Sequence, residues 1–491
     1  MINDQLKALI LENFPHQPTP EQEKVVEMWA TFMFQRDLEQ VFMLRGYAGT
    51  GKTTLVGALV RTLQMLKQRI ILLAPTGRAA KVMSSYSDYP ASTIHRQIYR
   101  QRTFGEDRFT ASPNLHPHTT FIVDEASMIA NTGLSGNIFG EGRLLDDLIH
   151  YVYSAPGCRL ILIGDTAQLP PVGEELSPAL DANELSSYGI SVITAELTQV
   201  VRQVSDSGIL SNATMIRRII TSGEWVTGTL PQADLHYPDI SLVAGPELID
   251  SLEQSYSRAG RRNTIVITRS NKRANIYNQG IRNRILDYEE QLVSGDIIMV
   301  AKNKYHKSEE THLDPDTGKL VTTPRTELIA NGEMAIVRRV RRNRALFGFN
   351  FADVSLQLLD HAQDADTEAE PEIETTVLLD ALMSEAPALT PTQQQTLFQR
   401  VCEDYPELRT KKELYRAVRE DEHYNALQIK YAYAVTCHKA QGGQWEEVYI
   451  DQGYMTEDML TEDYLRWLYT AITRATRHVY LVNWPESQIK A

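Results

Sequence analysis

The spacing Gly46-x-x-x-x-Gly51-Lys52-Thr53 is suited to holding a polyphosphate. Glycines this close together let backbone N–H groups turn inward around an anion, and a helix starting behind them adds its positive end. Gly46, Ala48, Gly49, Thr50, Gly51, Lys52, Thr53 and Thr54 would surround the phosphates. Lys52 would set a point charge on the β/γ-phosphates, and the Thr53 hydroxyl would bind Mg²⁺. The flanks agree with this reading. Val41 to Leu44 is a short apolar run of the kind that forms a buried strand, and Leu55, Val56, Leu59 and Leu63 follow at helical spacing. A strand–loop–helix order makes this an ATP-type site and not an ordinary glycine turn.

Further polar clusters fall where such a site needs them. Asp124-Glu125 ends the apolar run Phe121–Val123, so Asp124 could hold Mg²⁺ opposite Thr53 and Glu125 could activate the attacking water. Gln168, in Gly164-Asp165-x-x-Gln168, offers an amide to the γ-phosphate from another strand end. Arg202 and Arg474 are candidates for the positive charge that a phosphoryl-transfer transition state requires. Thr436, His438 and Lys439 precede the flexible Gly442-Gly443 pair and suit contacts to a nucleic-acid backbone, with Gly442 near the ATP cleft. Thr93, His95 and Arg96 form a matching set earlier in the chain. Thr19-Pro20-Glu21-Gln22 reads as a capping box, in which Gln22 has either a purely structural role or a nucleotide contact.

The elements around these residues alternate. Apolar strands at Ile70–Ala74, Phe121–Val123 and Leu160–Ile163 are separated by helical stretches, which predicts a parallel sheet with functional residues at its C-terminal edge. A polar interruption at 99–119, with Phe104 and Phe109 near a Gly-Glu-Asp-Arg turn, reads as an inserted finger. A second α/β unit begins near Leu197, breaks off near Asp296 and resumes beyond Leu427. The break holds short alternating strands that read as a small barrel. An acidic stretch read as a solvated loop follows, from Asp364 to Glu374, and then helices around 393–404 and 411–425. The three dispersed cysteines argue against structural zinc or a disulfide framework and fit a reducing cytoplasm. No apolar run approaches the roughly 18 residues of a membrane span. A net charge of −14 means that any nucleic acid must be held in a local basic channel.

The stretches GYAGTGKTT, APTGRAA with ASTIHR, IVDEASM, GDTAQLPPVG, VVRQ, TCHKAQGGQW and YTAITRA follow the order and spacing of superfamily 1 DNA helicases. The chain most resembles the branch containing RecD and the phage helicase Dda. That resemblance implies two RecA-like parallel-sheet domains, at 1–196 and at 197–295 with 428–491, binding ATP and Mg²⁺ between them. It implies an SH3-like barrel with a helical extension at 296–427. It assigns adenine contact to Gln22, arginine-finger roles to Arg202 and Arg474, and DNA contact to Thr76, Thr93, His95, Thr436 and His438. The implied activity is 5′ to 3′ movement on single-stranded DNA with unwinding of forked or tailed duplex. Replication or repair proteins could dock on the helical insertion. Two alternatives remain open: an ATP-gated DNA-binding subunit of a nuclease complex, and a switch-type ATPase acting on proteins.

Strand separation needs a block as well as a motor. Melting one base step costs on average about 1.4 kcal/mol of stacking, and one aromatic ring stacked on a freed base returns about 1–3 kcal/mol. In related helicases a finger at this place is the separation pin. Phe104→Ala/Phe109→Ala should therefore keep DNA-stimulated ATP turnover but lose most unwinding. Parental unwinding rates on tailed duplex would place the pin elsewhere.

Overall fold

Continuous apolar runs become strands buried on both faces, as a parallel sheet demands. The computed structural model describes residues 2–35, 39–101, 109–133, 143–201, 206–222, 231–313, 320–359, 372–408 and 410–490. In chain order the first strands are β1 (Gln40–Gly46), β2 (Arg69–Ala74), β3 (Ala91–Thr93), β4 (Tyr99–Gln101), β5 (Phe109–Ala111), β6 (Thr119–Val123), β7 (Arg159–Gly164) and β8 (Ser191–Leu197). Six of them form one parallel sheet in the order β3-β2-β6-β7-β1-β8. Val41, Phe42, Met43 and Leu44 of β1 are fully buried between β7 and β8. The helix Pro20–Phe34 starts from the predicted capping box, Thr19 with Gln22, and packs Trp29 against Phe42 at 5.8 Å between ring centroids.

β4 and β5 stand apart as an antiparallel pair, with Tyr99 opposite Ala111 and Gln101 opposite Phe109. Phe104 lies outside the described residues, as does the side chain of Phe109.

A second parallel sheet begins with β9 (Ile240–Val243) and β10 (Thr264–Thr268). The chain then leaves, and residues 275–433 form a compact unit of their own. That unit contains β11 (Ile297–Val300), β12 (Lys304–Leu313), β13 (Leu320–Ile329), β14 (Met334–Leu346), β15 (Phe349–Leu358), β16 (Glu372–Leu378) and β17 (Leu427–Tyr431). β11, β14, β15, β16 and β17 close a barrel, while β12 and β13 pair only with each other. The chain returns as β18 (Ala434–Thr436), β19 (Trp445–Asp451) and β20 (Ala475–Val482), completing the sheet β18-β10-β19-β20-β9. Both parallel sheets belong to the other unit, residues 1–274 with 434–491.

One sequence reading needs correction. The acidic stretch runs into β16, where Ile373 and Val377 are buried against β15 and exposed Glu372 and Glu374 alternate with them. High acidity hid the period-two pattern of a strand with one wet face. β14 also carries a run of five arginines, Arg338, Arg339, Arg341, Arg342 and Arg344, and part of it is paired. The pairing shifts register between Val337 and Arg339 and again between Arg341 and Asn343. Arg341 pairs with Glu374 at 3.0 Å, and Arg344 pairs with Asp353 and with Glu422. The helices Pro391–Cys402 and Lys411–Glu420 seat Leu397, Val401 and Val418 against Phe349 and Phe351 of β15.

One buried ion pair ties this unit together. Arg282 Nε and Nη2 donate to the two oxygens of Asp296 at 2.9 and 3.0 Å, and the Tyr433 hydroxyl donates to the same carboxylate at 2.9 Å. Removing one partner of a buried pair strands the other charge. Asp296→Ala should cost about 3–5 kcal/mol in urea unfolding. An unchanged midpoint would mean that Arg282 reaches water in the folded state.

Candidate active site

The loop after β1 can adopt its path only because two residues lack a side chain. Gly49 and Gly51 have φ of +77° and +81°, and a Cβ on Gly51 would lie 2.5 Å from Gln22 Nε2. That amide nitrogen donates to Thr50 O at 3.0 Å, while Gln22 Oε1 accepts the Thr19 N–H at 2.9 Å. Gln22 is thus both the helix cap and a strut under the loop. Lys52 folds across it, donating to Gly46 O and, at 2.9 Å, to Tyr47 O. Thr50 Oγ1 donates to Tyr47 O at 2.8 Å. Thr53 is exposed, and its hydroxyl makes no hydrogen bond among the described residues. Ala48 offers its N–H to a side chain from the second sheet, as described below, and Thr54 is half-buried on the first helical turn.

Asp124 and Glu125 sit at the end of β6, two strands away from β1. Asp124 Oδ2 accepts the Tyr86 hydroxyl at 2.7 Å and Oδ1 accepts the Glu125 N–H at 2.8 Å. Glu125 has φ of +52°, which turns its side chain away from the strand direction. Its partner comes from the other sheet: Arg474 Nη1 lies 3.9 Å from Glu125 Oε1. Burial raises the Glu125 carboxyl above its usual range, and the Arg474 charge pulls the other way. Arg474 is itself buried and held by Thr470 O at 3.1 Å and Gly443 O at 3.3 Å.

Gln168 is buried, and its Oε1 has no hydrogen-bond partner among the described residues. An orphaned acceptor of this kind, the exposed Thr53 hydroxyl and the glycine cradle together fit a magnesium nucleotide. Thr53 and Asp124 would hold the metal, and the loop N–H groups would hold the phosphates. Arg202 lies outside the described residues, but the Val201 N–H donates to Gly49 O at 2.9 Å.

The proposed DNA-contact residues share a local geometry. Thr76 and Thr93 are helix N-caps whose oxygens accept the N–H groups of Ala79 and Arg96, both at 3.2 Å. Thr436 stands at the same position before Cys437–Ala440, without a side-chain cap bond. Gly442, with φ of +72°, brings the second sheet's loop against this face. A Cβ there would lie 2.9 Å from Ala79 Cβ and 3.0 Å from Thr76 Oγ1. Arg78 donates to Gln444 O at 3.1 Å and stacks over Trp445. His438 is exposed, Lys439 is lowered by burial to about 8, and burial pulls the His95 imidazole to about 4. His95 is therefore neutral at pH 7 and can offer a phosphate only a hydrogen bond.

Three residues of this site escaped the sequence reading. Asp165 and Tyr469 lie inside motifs that were recognised but drew no role, and Tyr86 carried no signal beyond helical periodicity.

Comparison with known proteins agrees with the geometry. A family profile described as an AAA domain matches residues 18–221, and one for a UvrD-like helicase C-terminal domain matches 431–482. The ATP-dependent RecD2 DNA helicase of Deinococcus radiodurans is 31% identical over 188 residues, which is 38% of this chain and 23% of that protein. The ATP-dependent DNA helicase dda of phage T4 is 27% identical over 272 residues, 52% of this chain and 55% of that protein. The chain thus spans between about a quarter and a half of the lengths of these relatives. A Pif1 helicase from Bacteroides, solved with ADP-AlF3 and ssDNA, aligns over 97% of this chain and 95% of its own at 16% identity and a TM-score of 0.44. Two RecA-like parallel sheets and one phosphate loop are the parts of a P-loop fold. The chain is similar to the superfamily 1 helicases of the RecD- and Dda-like branch.

An arginine brought to the γ-phosphate acts chiefly in the transition state. Arg474→Ala should bind nucleotide almost normally and hydrolyse it about 10³-fold more slowly or worse. Collapse of nucleotide affinity with the saturated rate retained would make Arg474 a ground-state ligand instead.

Proposed function

We propose that this chain is an ATP- and Mg²⁺-dependent DNA helicase that moves 5′ to 3′ on single-stranded DNA and opens duplex ahead of it. The observation that carries this reading is the approach of Arg474, from the second sheet, to within 3.9 Å of Glu125 on the first. Hydrolysis then depends on how the two sheets close, which is what a motor requires and a static binding subunit does not.

In this reading Lys52 and the loop N–H groups bind the phosphates, with Thr53 and Asp124 on the metal. Glu125 takes a proton from the attacking water, and Gln168 reports the γ-phosphate. Arg474 and Arg202 stabilise the charge that develops on the transferred group. A bound magnesium would supply neutralisation of the charge that develops on the phosphates. Adenine contact by Gln22 requires its Thr50 bond to be exchanged. Thr76 and Thr93 contact DNA phosphates, because a capping hydroxyl whose oxygen accepts an N–H keeps its own proton to donate, and Thr436, whose hydroxyl makes no cap bond, joins them on the same path. His438 and Lys439 sit beside Thr436 on the same path. The finger carrying Phe104 and Phe109 splits the strands. Polarity rests on the likeness to the RecD and Dda branch, of which RecD2 and dda are named as DNA helicases. Residues 1–196 would be the first motor domain and 197–295 with 428–491 the second, with 296–427 inserted.

Strand displacement with 5′-tailed and 3′-tailed duplexes tests this directly. The 5′-tailed substrate should be opened with ATP and magnesium, the 3′-tailed one left intact, and Lys52→Ala should retain less than about a tenth of the turnover. ATP turnover indifferent to single-stranded DNA would favour a switch acting on protein.

A further inference from the structure

One hydroxyl stands where three functional segments meet. Tyr469 lies on the helix Glu462–Ile472, which leads through Arg474 into β20. Its side chain is buried, and its oxygen accepts the N–H of Ala48 in the phosphate loop at 2.9 Å. The same hydroxyl donates its proton to Asp165 Oδ2 at 2.6 Å. Asp165 is 1% exposed, and its other oxygen accepts the Ala167 N–H at 2.9 Å, immediately before Gln168. Two further residues of this helix hold the same loop: Thr470 Oγ1 accepts the Leu169 N–H at 2.9 Å, and Arg466 donates to Thr166 O. Of these three, Tyr469 alone also reaches the phosphate loop.

We propose that Tyr469 is a positioning residue that couples nucleotide occupancy to the second sheet, its hydroxyl occupying a phosphate-loop N–H that the incoming nucleotide claims. This rests on the nucleotide reading of the loop given above. The exchange follows from acceptor strength. A phosphate oxygen carries charge and forms a hydrogen bond roughly twice as strong as a neutral phenol oxygen does. The Ala48 N–H therefore passes to the phosphate, while the phenol keeps its proton on Asp165, so no buried carboxylate is stranded. Burial and the neighbouring Asp165 charge keep the phenol protonated throughout. The step moves no covalent bond. What changes is the tether between phosphate loop and helix. Arg474 follows just beyond the end of that helix, with its guanidinium bonded to Thr470 O. Filling the loop frees the segment that delivers the arginine, and by linkage whatever displaces that segment alters nucleotide affinity by the same factor.

Tyr469→Phe keeps the ring and removes the competitor. A fluorescent ADP analogue should bind the variant about two- to tenfold more tightly than the wild type, the worth of one exchanged hydrogen bond. The factor by which a non-hydrolysable ATP analogue changes affinity for an oligothymidylate should fall towards one. Thr470→Val is the control, because it removes a neighbouring bond of the same helix without touching the phosphate loop. It should leave the ADP affinity within twofold. Unchanged or weakened ADP binding in a folded Tyr469→Phe protein, or equal tightening in Thr470→Val, overturns the coupling role. A wild type that binds neither nucleotide nor oligothymidylate overturns instead the function on which it rests.

Discussion

The Arg474–Glu125 approach constrains everything around it. A carboxylate buried at a strand end resists ionisation, because low-dielectric surroundings disfavour the charged form. Lys52 and Arg474 both oppose that tendency at Glu125, and Arg474 is the larger influence of the two. The first sheet alone therefore holds its proposed base in a poor state for taking a proton. The second sheet improves it by bringing a guanidinium. In the proposed mechanism the charge that serves the transition state and the charge that readies the base would be the same group, and catalytic competence would belong to the pair of sheets.

That arrangement requires backbone segments to come closer than side chains usually permit. Gly442 does this against Thr76 and Ala79, and Gly49 does it against Val200 and Leu210. Both have positive φ, so any replacement meets backbone strain as well as a steric clash. The same contacts join the nucleotide end of the site to the N-terminus of the helix Gly77–Ser87. The other end of that helix carries Tyr86 to Asp124. One rigid element therefore touches both the proposed DNA face and the proposed metal ligand.

The parallel strands were legible because a strand covered on both faces has no polar alternation to confuse it, and the capping box was legible because its partners lie three residues apart. β16 was not, since its exposed positions are glutamates that look like a charge run. The hydroxyl contacts of Tyr86 and Tyr469 were beyond the sequence for a different reason. Their partners lie 38 and 421 residues away, and a tyrosine at helical spacing reads as core until the fold places its oxygen. Gln22 shows the intermediate case. Its capping role was readable, but its support of the phosphate loop depends on a contact 28 residues distant.

The electrostatics of the proposed DNA path follow from the same economy of charge. The whole chain is at −14, the His95 imidazole is neutral, and two of the five arginines clustered on β14 are taken up by acids of their own barrel. The proposed path along the two sheets carries the threonine hydroxyls of Thr76, Thr93 and Thr436 beside the cations Arg78 and Lys439. The hydroxyls hold a phosphate by geometry, and each contact is weak enough to exchange for the next one along the strand. A strongly basic groove would bind single strands more tightly, but every step would then have to break several ion pairs at once. In the proposed motor, contacts made by neutral donors would exchange more readily at each step than contacts made by ion pairs.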